Sequence, residues 1–160
     1  MVILREMTEE DMEAIKKWPI YTNDFEVLDY ALRDNGWIDE YRRKSGTICY
    51  AAMEGPDAIG FTILSKTKKY EAEFRIALRG DKTGQGFGRV ITLMTLKKGF
   101  NELGFSRIHL IVRKNNQRAI KLYQGLGFID KGDCMKEIHG KMVDFNIMDI
   151  CKDLVMKKEI

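Results

Sequence analysis

The chain has few of the residues that build disulfide frameworks and metal centres. Its three cysteines, Cys49, Cys134 and Cys151, are odd in number and widely spaced, with no CxxC. That pattern excludes a stapled scaffold and predicts reduced, structural thiols. An acyl-Cys intermediate would need an activating base, and none lies nearby in sequence. Only two histidines occur, His109 and His139, so no His-based metal cluster is expected. No apolar run reaches the length of about eighteen residues that a membrane span needs. The start, MVILREMTEEDM, turns acidic at once and lacks a signal-peptide layout, so the expected location is the cytoplasm. An excess of one charge is also missing. Lys and Arg number 27 against 24 Asp and Glu, and a net charge of +3 gives no argument for nucleic acid. Repeats, low-complexity tracts and linkers are absent, so the 160 residues read as one domain with room for a real core.

What is present is a clear alternation of strand and helix patterns. VILREM (2–7) reads as a first strand. Thr8 and Asp11 have the form of a capping box, followed by Met12, Ile15 and Trp18 at helical spacing, with Pro19 as the stop. Phe25, Leu28 and Leu32 mark a second helix that ends near Gly36, and residues 37–46 are polar and poorly determined. TICYAAM (47–53) and AIGFTILS (58–65) flank Gly55–Pro56–Asp57 and read as a hairpin. YEAEFRIAL (70–78) is a third strand, with Phe74, Ile76 and Leu78 on one face and Glu73, Arg75 and Ala77 on the other. Val90, Leu93, Met94, Phe100 and Leu103 then predict an amphipathic helix closed by Gly104. RIHLIVRK (107–114) is a strand, 116–126 a short helix with Gly127 past its end, and the tail a hairpin around His139 and Gly140 with 142–151 as its last strand. This order predicts one mixed α/β sheet covered by helices.

Between the third strand and the long helix stands KTGQGFGR (82–89). A glycine-rich strand-to-helix turn gathers unpaired backbone N–H groups at the positive end of a helix, and phosphate is the natural guest. Gly84, Gly86 and Gly88 lack Cβ atoms and let a diphosphate approach the backbone. A Walker loop started at Gly80 needs its second glycine where Gln85 stands, and a dinucleotide fingerprint started at Gly84 needs its last glycine where Arg89 stands. Neither motif fits. A second stretch, RKNNQRAIKLYQGLGF (113–128), places Asn116, Ala119 and Tyr123 on one helix face. By residue type alone, Asn116 is the helix cap, with Asn115 its competitor, and Tyr123 is a core aromatic.

Together the two stretches resemble the GNAT superfamily of acetyl-CoA-dependent N-acetyltransferases, specifically over 71–131. That family has a (Gln/Arg)xxGx(Gly/Ala) loop, and here the loop is Thr83–Gly84–Gln85–Gly86–Phe87–Gly88. Its Asn-xx-Ala-(x)₃-Tyr helix ends in Gly-Phe, here Asn116, Ala119 and Tyr123 with Gly127–Phe128. GKMVDFNIM (140–148) is similar to the last strand of the ribosomal-protein and polyamine branches, and EFRI (73–76) to the polyamine branch. The resemblance implies a central, mixed, largely antiparallel twisted sheet flanked by helices, in a single GNAT domain over 1–160. It implies transfer of an acetyl group from acetyl-CoA to a primary amine by direct attack, the acceptor being a polyamine, an aminosugar or a protein N-terminus. The donor is expected between strands 70–78 and 107–114, with backbone N–H groups of Ile76, Ala77 and Leu78 on the thioester carbonyl. The loop from Thr83 to Arg89 holds the diphosphate, and Asn116 and Ala119 adjoin the cofactor arm. Thr83 departs from the family's Gln or Arg, and Lys82 or Arg89 would supply the missing cation.

Tyr123 is implied as the acid on the leaving thiolate, since phenol and thiol pKa values differ by only about one to two units. Glu73 is the candidate base, a solvated face or an ion pair its competing explanation, and Glu71 its rival. His109 reads as a satisfied sheet histidine. The acceptor site is expected from residues 19–46 and 134–142. The acidic Asp24, Glu26, Asp29 and Asp34 there would either attract a cationic amine or form a solvated face. A homodimer fits the family's habits. A non-catalytic acyl-CoA-binding module, or a nucleotide-binding protein of another kind, stays open beside the enzyme.

Overall fold

A computed structural model of the chain describes residues 1–153, the side chains of residues 23–25 excepted. It contains seven strands, β1 Val2–Glu6, β2 Thr47–Glu54, β3 Asp57–Lys68, β4 Glu71–Leu78, β5 Arg107–Arg113, β6 Ile129–Ile138 and β7 Lys141–Cys151. The helices are α1 Glu9–Lys16, α2 Trp37–Tyr41, α3 Phe87–Lys97 and α4 Gln117–Leu126. Strands pair in the order β1-β2-β3-β4-β5-β7-β6. The β1–β2, β2–β3, β5–β7 and β6–β7 ladders are antiparallel, and β4–β5 is parallel. The predicted mixed, largely antiparallel sheet flanked by helices is what is found. Among the described residues no helix is long and apolar enough to cross a membrane.

The chain divides into two compact units, 1–66 with 74–95, and 67–73 with 96–160. In the first unit, Thr8 caps α1 as its sequence predicts. The Thr8 hydroxyl accepts from the Asp11 amide, and the Asp11 carboxylate accepts from the Thr8 amide. Arg5 adds a two-pronged ion pair to Asp11 at 2.5 and 3.0 Å. Met12, Ile15 and Trp18 then face inward onto Phe61 and Ile63 of β3. The expected second helix is a 3-10 stretch, Asn23–Leu32. Leu32 is buried and Leu28 packs on the core, while the side chains of Phe25 and Asp24 lie outside the described residues. Gly36 does not end that segment but begins the next, because α2 follows it and buries Ile38 and Tyr41. The stretch 37–46, which looks polar in sequence, thus contributes to the core. The β2–β3 hairpin closes over Gly55–Pro56, with Glu54 opposite Asp57.

The phase expected for α3 is wrong. Val90 is exposed, and Leu93 and Met94 are only half buried, while Ile91, Leu96 and Phe100 are buried together with Thr92 and Thr95. For Thr95 the reason is polar satisfaction. Its hydroxyl bonds to that of Thr62 at 2.9 Å and reaches the Ile91 carbonyl at 2.9 Å, so it occupies a position that a count of apolar residues assigns to solvent, whereas the Thr92 hydroxyl is buried with no hydrogen-bond partner among the described residues. After α3 the chain makes a wide π-type turn, Lys98–Glu102, and Gly104 stops it in the left-handed region at φ 78°.

In the second unit, α4 runs from its Asn116 cap to Gly127, whose φ of 108° ends the helix. Ile120, Tyr123 and Leu126 form its buried face. The β6–β7 hairpin turns through His139 and Gly140, both at positive φ (50° and 81°), as a two-residue primed turn requires.

Candidate functional site

The loop ahead of α3 has the backbone that a phosphate cradle needs. Arg79 follows β4 and grips Asp81 with two hydrogen bonds at 2.6 and 3.1 Å. The Thr83 hydroxyl donates to the Gly80 carbonyl, and the Gln85 side-chain amide donates to the Asp81 carbonyl at 2.7 Å. These bonds fold the loop on itself, so Thr83 and Gln85 act on the loop's own carbonyls. Gly84 and Gly86 sit at φ 75° and 86°, where a side chain is strained. A Cβ built on Gly86 meets nothing within 4 Å. The glycine there is needed by the backbone's twist and leaves open space outside it. Gly84, Gln85 and Gly86 are exposed, and Phe87 and Gly88 open α3 half buried. The residues therefore fit a diphosphate, with the amides that begin α3 as its donors.

Of the two cations expected to replace the family's Gln or Arg, Lys82 is already engaged. It pairs with Glu54 at 2.9 Å and stands 5.7 Å from the Phe87 ring centre. Arg89 is exposed on the first turn of α3 and has no partner among the described residues. An open cavity of about 860 Å³ adjoins the loop, with Trp18, Ile20, Tyr21, Arg79, Asp81 and Thr83 among its walls. It brings the start of the predicted acceptor region to the glycine loop.

The segment beside that cavity is braced in ways the sequence reading missed. The Tyr21 hydroxyl donates to the Leu78 carbonyl. Burial raises the Tyr21 pKa well above the ordinary phenol value, which keeps it a donor. The Arg33 guanidinium grips Asp29 at 2.8 and 2.9 Å and also donates to the carbonyls of Lys16 and Trp18. Asp29 accepts from the Tyr21 amide as well. The Asp29–Arg33 pair stands at helical i,i+4 spacing, a signal legible in sequence. Lys16 holds Asp34 at 3.1 Å and Asp39 at 2.7 Å. Asp29 and Asp34 are thus paired internally. On β4, Arg75 donates to the Tyr41 hydroxyl at 3.0 Å and lies 5.1 and 5.2 Å from the Trp37 and Tyr41 ring centres. Ile76 is half buried, Ala77 packs on the α1–α2 core, and the Leu78 side chain lies against Gly60.

In the second unit, Tyr123 is buried on α4 with its ring 5.4 Å from that of Phe128. Burial raises its pKa, so the phenol stays protonated through the neutral range. No described residue hydrogen-bonds its hydroxyl. Asn116 wins the competition for the cap, because its Oδ1 accepts from the Ala119 amide at 3.2 Å. Glu71 is held by Arg107 at 2.9 Å, and Arg107 also takes the buried Asp149 at 2.6 Å. Glu73, two residues on, is half buried and lies opposite His109 in the parallel ladder. The His109 Nε2 is 3.0 Å from the Thr67 hydroxyl. All three cysteines are free, and burial pushes the Cys49 thiol up to about 11.

A family model described as an acetyltransferase (GNAT) domain matches residues 1–129. A spermidine N(1)-acetyltransferase of Vibrio cholerae is 30% identical over 89 residues, which is 54% of this chain and 51% of that protein. One from Escherichia coli K12 is 35% identical over 66 residues, 41% of this chain and 36% of that protein. The matched part thus spans about half, or less, of these relatives' length. An uncharacterized N-acetyltransferase of Bacillus subtilis, YoaA, is 26% identical and covers 94% of this chain and 93% of its own. Among solved structures, the Vibrio cholerae spermidine N-acetyltransferase in complex with CoA and spermine aligns with TM-score 0.73 at 21% identity, covering 97% of this chain and 98% of that one. A chimera of that enzyme with hSSAT gives 0.78 at 22%, covering 98% of each chain. At such identities the structural likeness speaks for the fold. With most of its length inside the family model, the chain belongs to the GNAT acetyltransferase family.

Proposed function

We propose that this protein transfers an acetyl group from acetyl-CoA to a primary amine of a small cationic acceptor of the polyamine class. The observation that carries the donor half is the Gly84–Gly86 turn, with its two left-handed glycines and open space outside Gly86 ahead of α3. Backbone amides from Gly86 to Gly88 would hold the diphosphate, with Arg89 in the place of the family's first loop residue. Acetyl-CoA supplies the thioester. The protein's own residues bind it, orient it and move protons. Residues 1–160 are taken as one GNAT domain in this proposal.

Tyr123 is the proton donor to the leaving thiolate, with burial keeping its proton in place until the sulfur needs it. Asn116 and Ala119 shape the first turn of the same helix. Glu73 is the base toward the acceptor ammonium, directly or through water. Its rival Glu71 is held by Arg107. The amides of Ile76, Ala77 and Leu78 are assigned to the thioester carbonyl.

The cationic acceptor draws its support from the relatives. The relatives are named for spermidine, and a protein N-terminus finds no support among them. Asp29 and Asp34, by contrast, are spent on Arg33 and Lys16. On the second unit, Glu71 and Asp149 share the guanidinium of Arg107.

The test is CoA release from acetyl-CoA across polyamines, aminosugars, amino acids and peptide N-termini, with the acceptor-free rate subtracted. Release with spermidine or spermine above the other classes is the expected result. CoA binding without release for any amine would favour a binding module instead.

A further inference from the structure

Two stretches of the first unit bound the open cavity beside the glycine loop, 17–22 after α1 and 79–83 after β4. The side chain of Tyr21 joins them. Its hydroxyl donates to the Leu78 carbonyl, and the Arg79 amide of the same peptide group donates to the Ile59 carbonyl of β3 at 2.8 Å. The peptide at the root of the loop is thus held at both its polar atoms. The Tyr21 ring also covers Gly80, where a built Cβ would meet it at 3.5 and 3.8 Å. Beyond that peptide the loop is held mainly by its own bonds, among them the Lys82 amide on the Arg79 carbonyl at 2.9 Å and the Thr83 hydroxyl on the Gly80 carbonyl. Such bonds set the loop's shape and leave its direction from the sheet to its root. Lys82 with Glu54 is a further tie, but a part-exposed ion pair that solvent screens. Tyr21 is itself braced. Its amide donates to Asp29 at 2.9 Å, and Arg33 grips Asp29 while donating to the carbonyls of Lys16 and Trp18. The phenol therefore reaches β4 from a turn that is already closed.

We propose that Tyr21 is a positioning residue for the cofactor, holding the Leu78–Arg79 peptide so that the glycine turn aims the amides at the start of α3 toward the diphosphate. The proposal rests on the acetyl-CoA reading. Tyr21 acts through the Leu78 carbonyl and not on the diphosphate. Residue 21 lies in the stretch from which the acceptor site is expected, and this bond assigns its hydroxyl to the donor side. The physical point is preorganisation. Gly84 and Gly86, at φ 75° and 86°, belong to a turn with few side-chain contacts of its own, so a swivel at its root moves every amide beyond it. With the root fixed, the donors stand ready and the ligand need not order them. Without the phenolic donor, the Leu78 carbonyl loses its partner and the peptide gains a reason to turn.

Tyr21→Phe keeps the ring in the core and over Gly80 and removes only the donor. Calorimetric titration of the folded variant with CoA should give a Kd raised about three- to tenfold, the span of one neutral hydrogen bond. Tyr50→Phe is the control. It removes the hydroxyl of a buried phenol on β2 in the same unit and leaves the Kd unchanged. The second test is kinetic and compares acetyl-CoA with S-acetylpantetheine, a thioester without the diphosphate. With acetyl-CoA, kcat/KM for Tyr21→Phe falls by the same three- to tenfold, through KM. With S-acetylpantetheine it stays within about twofold of the wild type, and so does the KM for the amine. A role in stability alone would not tell the two thioesters apart. A Kd for CoA within about twofold of the wild type, or an equal loss in Tyr50→Phe, overturns the proposal alone. So does an equal loss with both thioesters, or one confined to the KM of the amine. A wild-type protein that binds no CoA overturns the acetyl-CoA reading and the proposal with it.

Discussion

Replacing Gly86 by alanine separates two things that a glycine does here. The residue sits at φ 86°, and a Cβ there meets no protein atom within 4 Å. The folded chain therefore pays only the left-handed conformation, about 1–2 kcal/mol. For a chain of this size that lowers Tm by roughly 2–8 °C. A bound diphosphate would feel far more. The methyl group would stand in the space the ligand needs, at the cost of two charge-assisted N–H bonds of about 1.5–3 kcal/mol each. The sum is at least about 3 kcal/mol, more than a hundredfold in Kd for CoA. Gly104 is the matched control, with φ 78° and no atom within 4 Å of its built Cβ, but at the end of the turn after α3. Gly104→Ala should give a similar loss of Tm and leave CoA affinity unchanged. Calorimetric titration and thermal melts on the two variants decide the matter. Gly86→Ala binding CoA within about threefold of the parent would refute the cradle. So would an equal loss in Gly104→Ala.

Tyr123→Phe removes a hydroxyl that no described residue bonds, so stability should hold while kcat falls by about 10²-fold or more and CoA affinity stays; unchanged turnover where chemistry limits the rate would count against the acid role. The Asp11 carboxyl is held below its ordinary range, first by the Arg5 hydrogen bond. Its contribution is therefore complete above the unfolded pKa of about 3.9 and is lost as pH falls through the lower folded value. Asp11→Asn should flatten the acid limb of stability against pH, and an unaltered slope in acid titrations monitored by circular dichroism would contradict this. Cysteine alkylation at pH 8 should begin at exposed Cys151, with Cys49 last, because a thiol at about 11 is ionised to only about one part in a thousand there. Peptide mapping that finds Cys49 labelled first would contradict the burial.

The strands, both hairpins and the glycine loop were legible because their signals are local. Gly55–Pro56 and His139–Gly140 specify turns by backbone geometry alone, and Thr8 with Asp11 specifies a helix start. The face of α3 was not legible. Thr95 goes inside because Thr62 on another element accepts the partnership, and that choice has no local trace. The same holds for 37–46, where Ile38 and Tyr41 are buried by the company of α1 and β3. At the site, the sequence named the loop and Tyr123 but not which charges were already spent. Lys82 meets Glu54 across 28 residues, and Arg107 meets Asp149 across 42. Such long-range pairs decide which ionisable groups are left to meet a ligand.

Gly36 carries a consequence for redesign. A Cβ placed there would come within 3.0 Å of the carbonyl oxygens of Tyr30, Ala31 and Arg33, three rigid backbone atoms that cannot step aside. The passage from the 3-10 stretch into α2 can therefore close only over a residue with no side chain. A designer who wishes to exchange the segments on either side has a fixed pivot to build around. Loop grafts that keep a glycine in this register preserve the crossing, and grafts shifted by one residue push a side chain into the three carbonyls and must rebuild the turn.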